Sequence, residues 1–247
     1  MAQFLIKIAG KRFAVASLFE STRDYCRNYI ADEEPDFFVT VTREDLSFEQ
    51  EALRQEALDE GLRVRVFTDP FLERTVIQRR TAEFLFDQDV LMTHGSTVAV
   101  DGKAYLFTAK CGTGKSTHTR LWRQAFGDRA VMVNDDKPFL QISQSGIFAC
   151  GSPWSGKHGL DSNITAPLQG ICILQRGTEN RIHRISPDEA LPMLLHQSYC
   201  PLNPEKRGRF EELVHLMAET TPLWHMQCNK DPSAAETAYT AMYDANF

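Results

Sequence analysis

The chain has 247 residues, 43% of them apolar and 24% charged, an ordinary globular balance that predicts a core large enough to fold on its own. A formal net charge of −6 argues against nucleic acid as a partner, because a phosphate backbone demands a concentrated positive face. The densest basic cluster, Arg79-Arg80, falls in a helical pattern and reads as a solvated face. Six cysteines, at 26, 111, 150, 172, 200 and 228, form no C-x-x-C pair, so neither a zinc ligand set nor a disulfide framework is expected. Free thiols suit a reducing cytoplasm. No apolar run reaches the ~20 residues that cross a bilayer, and the N-terminus carries no signal-like segment. The expectation is a cytoplasmic protein with no membrane partner.

Taken from the N-terminus, residues 4–8 and 12–16 read as strands about an Ala9-Gly10 turn, and residues 37–42 as a third β-branched and aromatic run. Ser47-Phe48-Glu49-Gln50 has the form of a capping box and predicts a helix to about Glu60, ended by Gly61. Residues 62–68 alternate and predict a half-buried strand. Residues 70–87 place apolar side chains at helical spacing. The character changes near Leu91, which divides the chain into an N-terminal α/β lobe, residues 1–89, and a core, residues 90–247. Within the core, residues 97–100 and 104–108 flank Asp101-Gly102, a hairpin signal. A glycine-rich segment and a helix to about Ala125 follow. Strands are expected over 130–133, 139–142, 147–150, 168–174 and 223–226, and helices over 187–197, 204–219 and 232–243.

The most informative stretch is Ala109-Lys110-Cys111-Gly112-Thr113-Gly114-Lys115-Ser116-Thr117. A strand feeds a tight glycine turn and a helix opens at the lysine. Successive backbone N–H groups in such a turn point inward and, with the helix N-terminus, favour an anion. Gly112 and Gly114 allow close approach to a phosphate. Lys115 is placed to reach the β- and γ-phosphates, and the Ser116 hydroxyl to ligate Mg²⁺. Ala109 stands where the strict phosphate-loop pattern has its first glycine, a position that serves the turn more than the phosphate contact. The expected cofactors are ATP and Mg²⁺, with residues 110–117 as the nucleotide site.

A second element supports the first. The apolar run 130–133 delivers Asn134-Asp135-Asp136. Carboxylates at a strand end beside a phosphate loop are suited to hold magnesium or to accept a hydroxyl proton. Two further candidates are His94-Gly95 and the glycine-rich segment 151–159, which carries Lys157 and His158. Arg176, Arg181 and Arg184 follow a buried strand, and one of them could supply charge to a transferring phosphoryl group.

The order of these residues (His94-Gly95, a hairpin, 109–117, then Asn134-Asp135-Asp136) resembles the HPr kinase/phosphorylase and ATP-type phosphoenolpyruvate carboxykinase superfamily over roughly residues 90–185. The resemblance implies an α/β fold of the α+β, mixed-sheet kind, with a phosphate-loop core preceded by a small α/β lobe. It also implies catalytic roles for Asp135, Asp136, Lys115 and His94, with Ser116 and Asp136 at the metal. The chain departs from the kinase in the segment that grasps its protein substrate, where Ser152-Pro153-Trp154-Ser155-Gly156-Lys157 stands instead. It is also about half the length of a carboxykinase. The reading is therefore an ATP- and Mg²⁺-dependent kinase acting on a hydroxyl of a small molecule, a peptide or a protein serine, with homo-oligomers open. The alternative is a nucleotide-binding sensor or peptide-recognition module without efficient turnover.

Overall fold

The computed structural model describes residues 2–59, 61, 63–143 and 145–243. The chain divides into two compact units, Met1–Leu85 and Phe86–Phe247, each of mixed α/β character. Among the described residues no helix is long and apolar enough to cross a membrane.

In the first unit, β1 (Ala2–Ile8) and β2 (Lys11–Ser17) pair antiparallel, and β3 (Phe37–Thr40) pairs parallel to β2. The hairpin turn puts both Ala9 and Gly10 at positive φ, as a primed two-residue turn requires. Helices α1 (Glu20–Tyr25), α2 (Arg43–Asp59) and α3 (Asp69–Phe86) complete the unit. Phe13 packs edge-on against Phe84 at 5.4 Å between ring centroids, joining β2 to α3. The buried carboxylate of Glu49 on α2 accepts from Arg79 on α3 at 2.6 and 3.0 Å, so the two helices share a satisfied ion pair.

Two expectations fail here. Helix α2 begins at Arg43, four positions before Ser47, because Thr42 and Asp45 exchange the reciprocal capping bonds at 2.8 and 3.3 Å. The Ser47 hydroxyl instead bonds back to Arg43 O, and the Gln50 amide leaves the helix to bond Arg65 O and Phe67 N. That amide also explains the second failure. Residues 63–68 form no strand, since a side chain rather than a neighbouring strand satisfies their backbone and Val66 is left 91% exposed. Glu60 and Leu62, at the ends of these expected elements, lie outside the described residues.

The second unit is built on a nine-stranded mixed sheet. Its strands are β4 (Val90–Met92), β5 (Ser96–Val100), β6 (Lys103–Thr108), β7 (Ala130–Asn134), β8 (Phe139–Ser143), β9 (Gly146–Cys150), β10 (Thr165–Arg176), β11 (Arg181–Arg184) and β12 (Leu223–Cys228). Seven run in the order β4-β8-β9-β10-β6-β5-β7, while β12 pairs with β10 and β11. The long β10 joins two regimes: residues 165–167 pair antiparallel with β9, and from Leu168 onward the strand runs parallel to β6 and then to β12.

Strands β6 and β10 are apolar without alternation because helices cover both faces. Leu106 and Ile171 pack into a core with α5 (Pro187–Gln197) and α6 (Arg207–Thr220), among them Leu194, Leu213 and Met217. Tyr105, Phe107 and Cys172 pack on the other side with α4 (Lys115–Phe126) and α7 (Ser233–Tyr243), against Trp122, Ala238 and Met242. The expected helix from 204 begins as a 3₁₀ turn, Pro204–Lys206, and becomes α-helical at Arg207. Strand β11 is an edge of exposed polar side chains, which is why no apolar pattern announced it.

One core contact carries a pH prediction. His118 on α4 is buried beside Phe107 and accepts a hydrogen bond from Trp122 Nε1 at its Nε2, 3.1 Å away. Burial pulls its pKa down to about 4. The neutral imidazole thus supports the fold fully above its ordinary value, and that support is lost as pH falls toward 4, at a cost of up to about 3 kcal/mol. Urea melts at pH 7 and pH 5 are expected to show lower stability at pH 5, with a smaller difference in His118→Gln. An equal difference in that variant would assign the effect elsewhere.

Candidate functional site

Sheet register alone brings three separate segments to one edge. Ser96 at the start of β5 lies opposite Phe107 near the end of β6, and Thr97 lies opposite Asn134 at the end of β7. The chain entering β5 (His94-Gly95), the turn leaving β6 (109–114) and the turn leaving β7 (Asp135-Asp136) therefore emerge together. They line one cleft of ≈ 620 Å³.

The turn after β6 closes into α4 at Gly114, whose φ of +122° is costly for any residue with a Cβ. Ala109 is fully buried, and its methyl belongs to the core around Trp122, so alanine suits the position where a glycine was expected. Lys115 is 8% exposed, and its Nζ donates to Ala109 O at 3.1 Å. Burial lowers its pKa, while Cys111 and Asp136 act in the opposite direction without overcoming it. On the outer side of the turn, the Arg176 guanidinium at the end of β10 donates to the carbonyls of Gly112 and Thr113.

The acidic turn is organised by Asn134, which is fully buried. Its Oδ1 accepts from the N–H groups of Asp136 and Lys137 at 2.7 and 2.6 Å, and its Nδ2 donates to Ser152 O at 2.8 Å. One side chain thus fixes the aspartate pair and ties it to the segment 152–156. Asp135 is 3% exposed; its Oδ1 accepts from Gly156 N–H at 2.6 Å, while its Oδ2 is closed to solvent and has no hydrogen-bond partner among the described residues. Burial raises the Asp135 pKa; the Gly156 N–H opposes this, and the charge of Asp136 adds to it. Burial also pushes Asp136 upward, but the hydrogen bond from His94 and the charges of Lys137 and Lys115 prevail, leaving Asp136 below its ordinary value. The two neighbours are electrically unlike.

His94 Nε2 lies 3.3 Å from Asp136 Oδ1. That bond raises the imidazole pKa, yet burial, Lys137 and Lys115 outweigh it, so His94 is held below its ordinary value. Its backbone is locked from two sides, with N–H donating to Gln197 O at 2.7 Å and O accepting from Thr108 Oγ1 at 3.0 Å. Gly95 is required by close approach: a Cβ there would stand 2.5 Å from Leu106 Cδ1 and 3.1 Å from Phe107 O.

Of the residues expected from sequence, His94, Cys111, Gly112, Gly114, Lys115, Ser116, Thr117, Asp135 and Asp136 line this cleft. Lys110 and Thr113 do not; with Arg176 they line a neighbouring cleft of ≈ 650 Å³ on the other side of the turn. Arg181 pairs with Glu179 and Arg184 lies over the Trp224 ring, so none of the three arginines singled out in the sequence lines the first cleft. Arg120 and Arg123 on α4 do, and sequence reading missed them. Their signal was the helical register from Ser116, with Arg120 and Arg123 four and seven positions on. Lys157 and His158 also line it. Among the described residues no group of three or more His, Cys, Asp or Glu could hold a metal ion.

No family model matches the chain, and no curated protein matches it. Among solved structures it is similar to the Hpr(Ser) kinase/phosphatase from Coxiella burnetii, at 10% identity and a TM-score of 0.35. The match covers 62% of this chain and 98% of that one, a distant structural relationship.

Proposed function

We propose that the cleft binds ATP with magnesium and transfers the γ-phosphoryl group to an alcohol hydroxyl, as a kinase does. One observation carries this reading: a glycine turn ending on a buried lysine at a helix N-terminus, and an adjacent pair of carboxylates from another strand, line the same cleft. The turn 109–117 would receive the triphosphate through its N–H groups and the N-terminus of α4. Lys115 spends one of its three donors on Ala109 and keeps two for phosphate oxygens.

Asp135 would be the base. With Oδ1 held by Gly156, its unpartnered Oδ2 is closed to solvent here and would take the hydroxyl proton once the acceptor reaches it, and burial already strengthens its hold on that proton. Asp136, kept ionised by His94 and the two lysines, is the carboxylate suited to a cation, and the Ser116 hydroxyl lines the cleft with it. Such oxygen donors fit magnesium, which when bound would neutralise charge on the β- and γ-phosphates. His94 would orient Asp136. The acceptor is a small molecule, a peptide or a protein serine.

The test is ADP release by the purified protein with ATP and magnesium, across a panel of amino acids, sugars and peptides. The kinase reading expects at least one hydroxyl compound to stimulate release and to appear phosphorylated by ³¹P NMR. Nucleotide binding that no compound converts into turnover would leave a sensor in its place.

Arg176 gives a separable prediction. Its guanidinium donates to the outer carbonyls of the turn and does not line the first cleft, so Arg176→Ala should loosen the loop without removing a phosphate contact. The expected result is a rise of about tenfold in KM for ATP, with a smaller change in kcat, from titrations at saturating acceptor. An unchanged KM would mean that the loop holds its shape unaided.

A further inference from the structure

We propose that the acceptor is a small anionic alcohol, with its hydroxyl close to a carboxylate or phosphate group, and that Lys157 and His158 hold that negative charge. The inference rests on the kinase reading above and adds the acceptor's charge to it.

The chain as a whole is acidic, at −6, yet this cleft sets Lys115, Arg120, Arg123 and Lys157 against only two carboxylates, Asp135 and Asp136. The cations fall into two groups by origin. Lys115, Arg120 and Arg123 belong to α4, the helix that opens at the glycine turn, and would serve the triphosphate. Lys157 and His158 come from the segment after β9, which is fastened to the acidic turn instead. Asn134 Nδ2 donates to Ser152 O at 2.8 Å, Ser155 Oγ bonds Asp161 Oδ2 at 2.8 Å, and Gly156 N–H donates to Asp135 Oδ1 at 2.6 Å. Lys157 and His158 directly follow the residue that grips the base, and both line the cleft with Asp135.

An exposed lysine is ordinarily a solvated one. Here the backbone beneath it is fixed to the base, and neither Lys157 nor His158 makes an ion pair among the described residues. Their donors are left for a ligand, and the ligand that stands at Asp135 is the acceptor. In the transfer, the acceptor O–H gives its proton to Asp135 Oδ2 and its oxygen bonds the γ-phosphorus. The bond from that phosphorus to the β,γ-bridging oxygen breaks, and its electron pair leaves on ADP. An anionic group anchored on Lys157 and His158 would turn the hydroxyl toward Asp135.

The test uses the full chain with ATP and magnesium and acceptors that differ in charge: L-serine against L-serinamide, and D-glycerate or glycerol 3-phosphate against glycerol. The carboxylate and phosphate arms tell which anion the site prefers. The partner bearing the carboxylate or phosphate in at least one pair is expected to turn over with the lower KM, and Lys157→Ala and Lys157→Glu to raise that KM by about 10- to 100-fold, while KM for ATP moves little. Two results would overturn the proposal. One is equal use of the partners with and without the anionic group. The other is a Lys157→Ala variant whose KM rises for ATP and not for the acceptor. Should no acceptor in the panel turn over, melting-temperature shifts with D-glycerate and glycerol 3-phosphate decide. A shift that Lys157→Glu abolishes supports the anion site, and none, or one the variant keeps, refutes it. Failure of the kinase reading is recognised separately, as absence of ATP binding or as ATP binding that no compound of the wider panel converts into ADP release.

Discussion

Lys115→Ala protein is expected to lose phosphoryl transfer by about 10²- to 10³-fold, the scale set by removing one group that stabilises charge in a transition state. The argument begins with burial. Lys115 is 8% exposed and, among the described residues, its ammonium donates to Ala109 O alone, so it is costly where it stands and gains most when phosphate oxygens arrive. That cost is visible in its lowered pKa. Replacing the lysine removes a disfavoured buried charge, so Lys115→Met should fold at least as stably as the wild type, and lost activity cannot be blamed on unfolding. Lys115→Arg should not rescue, because a planar fork cannot take the place of a compact ammonium in a turn this tight. Initial rates at varied ATP read the loss, and melting curves of the same proteins read the fold. A Lys115→Ala protein with wild-type kcat/KM would remove the lysine from the site.

The second large effect concerns Asp135. Asp135→Asn is expected to lower kcat by about 10²- to 10⁴-fold, since an amide cannot accept the hydroxyl proton. The same change should raise the melting temperature. Because the folded-state pKa of Asp135 lies above its ordinary value, its stabilising protonated form prevails in acid, and that contribution is lost as pH rises through the raised pKa. Asparagine imitates the protonated form at every pH, so the gain in stability should appear at neutral pH and vanish in acid. Activity runs the other way. A base works only when ionised, so wild-type kcat/KM should fall on the acidic side with an apparent pKa above that of an ordinary carboxylate. Asp136→Asn should behave differently, because Asp136 is held below its ordinary value and its loss unpairs His94. Loss of activity in Asp135→Asn with no gain in stability at neutral pH would argue against a strained, buried base.

Much of this was legible in the sequence because it is local. The Asp101-Gly102 turn, the helix expected over 187–197 and the strand–turn–helix around Gly114 are each specified by residues a few positions apart. What escaped depended on partners distant in the chain. Helix α2 is a local exception: it starts at Arg43 under the Thr42–Asp45 cap, and the Ser47 hydroxyl, one turn in, bonds back to Arg43 O. Residues 63–68 alternate like a strand, but no strand lies beside them and the Gln50 amide does. In the site, the glycine turn and the aspartate pair could be singled out by residue type. The role of Asn134 could not, because its value lies in bonding Asp136, Lys137 and Ser152 at once. Arg176 likewise looked like a charge for phosphate and is a clamp on the turn. The unlike electrostatics of Asp135 and Asp136 follow from the burial of Asp135 and from the His94 bond and lysine charges that meet Asp136, none of which spacing reveals.

The central claim is that the turn between β6 and α4 closes on a polyphosphate. Isothermal titration of the purified chain with ATP in the presence of magnesium tests it most directly. A saturable heat with one site per chain, abolished by Lys115→Ala, is the result predicted; a wild-type protein that gives no heat of association would contradict the account at its base.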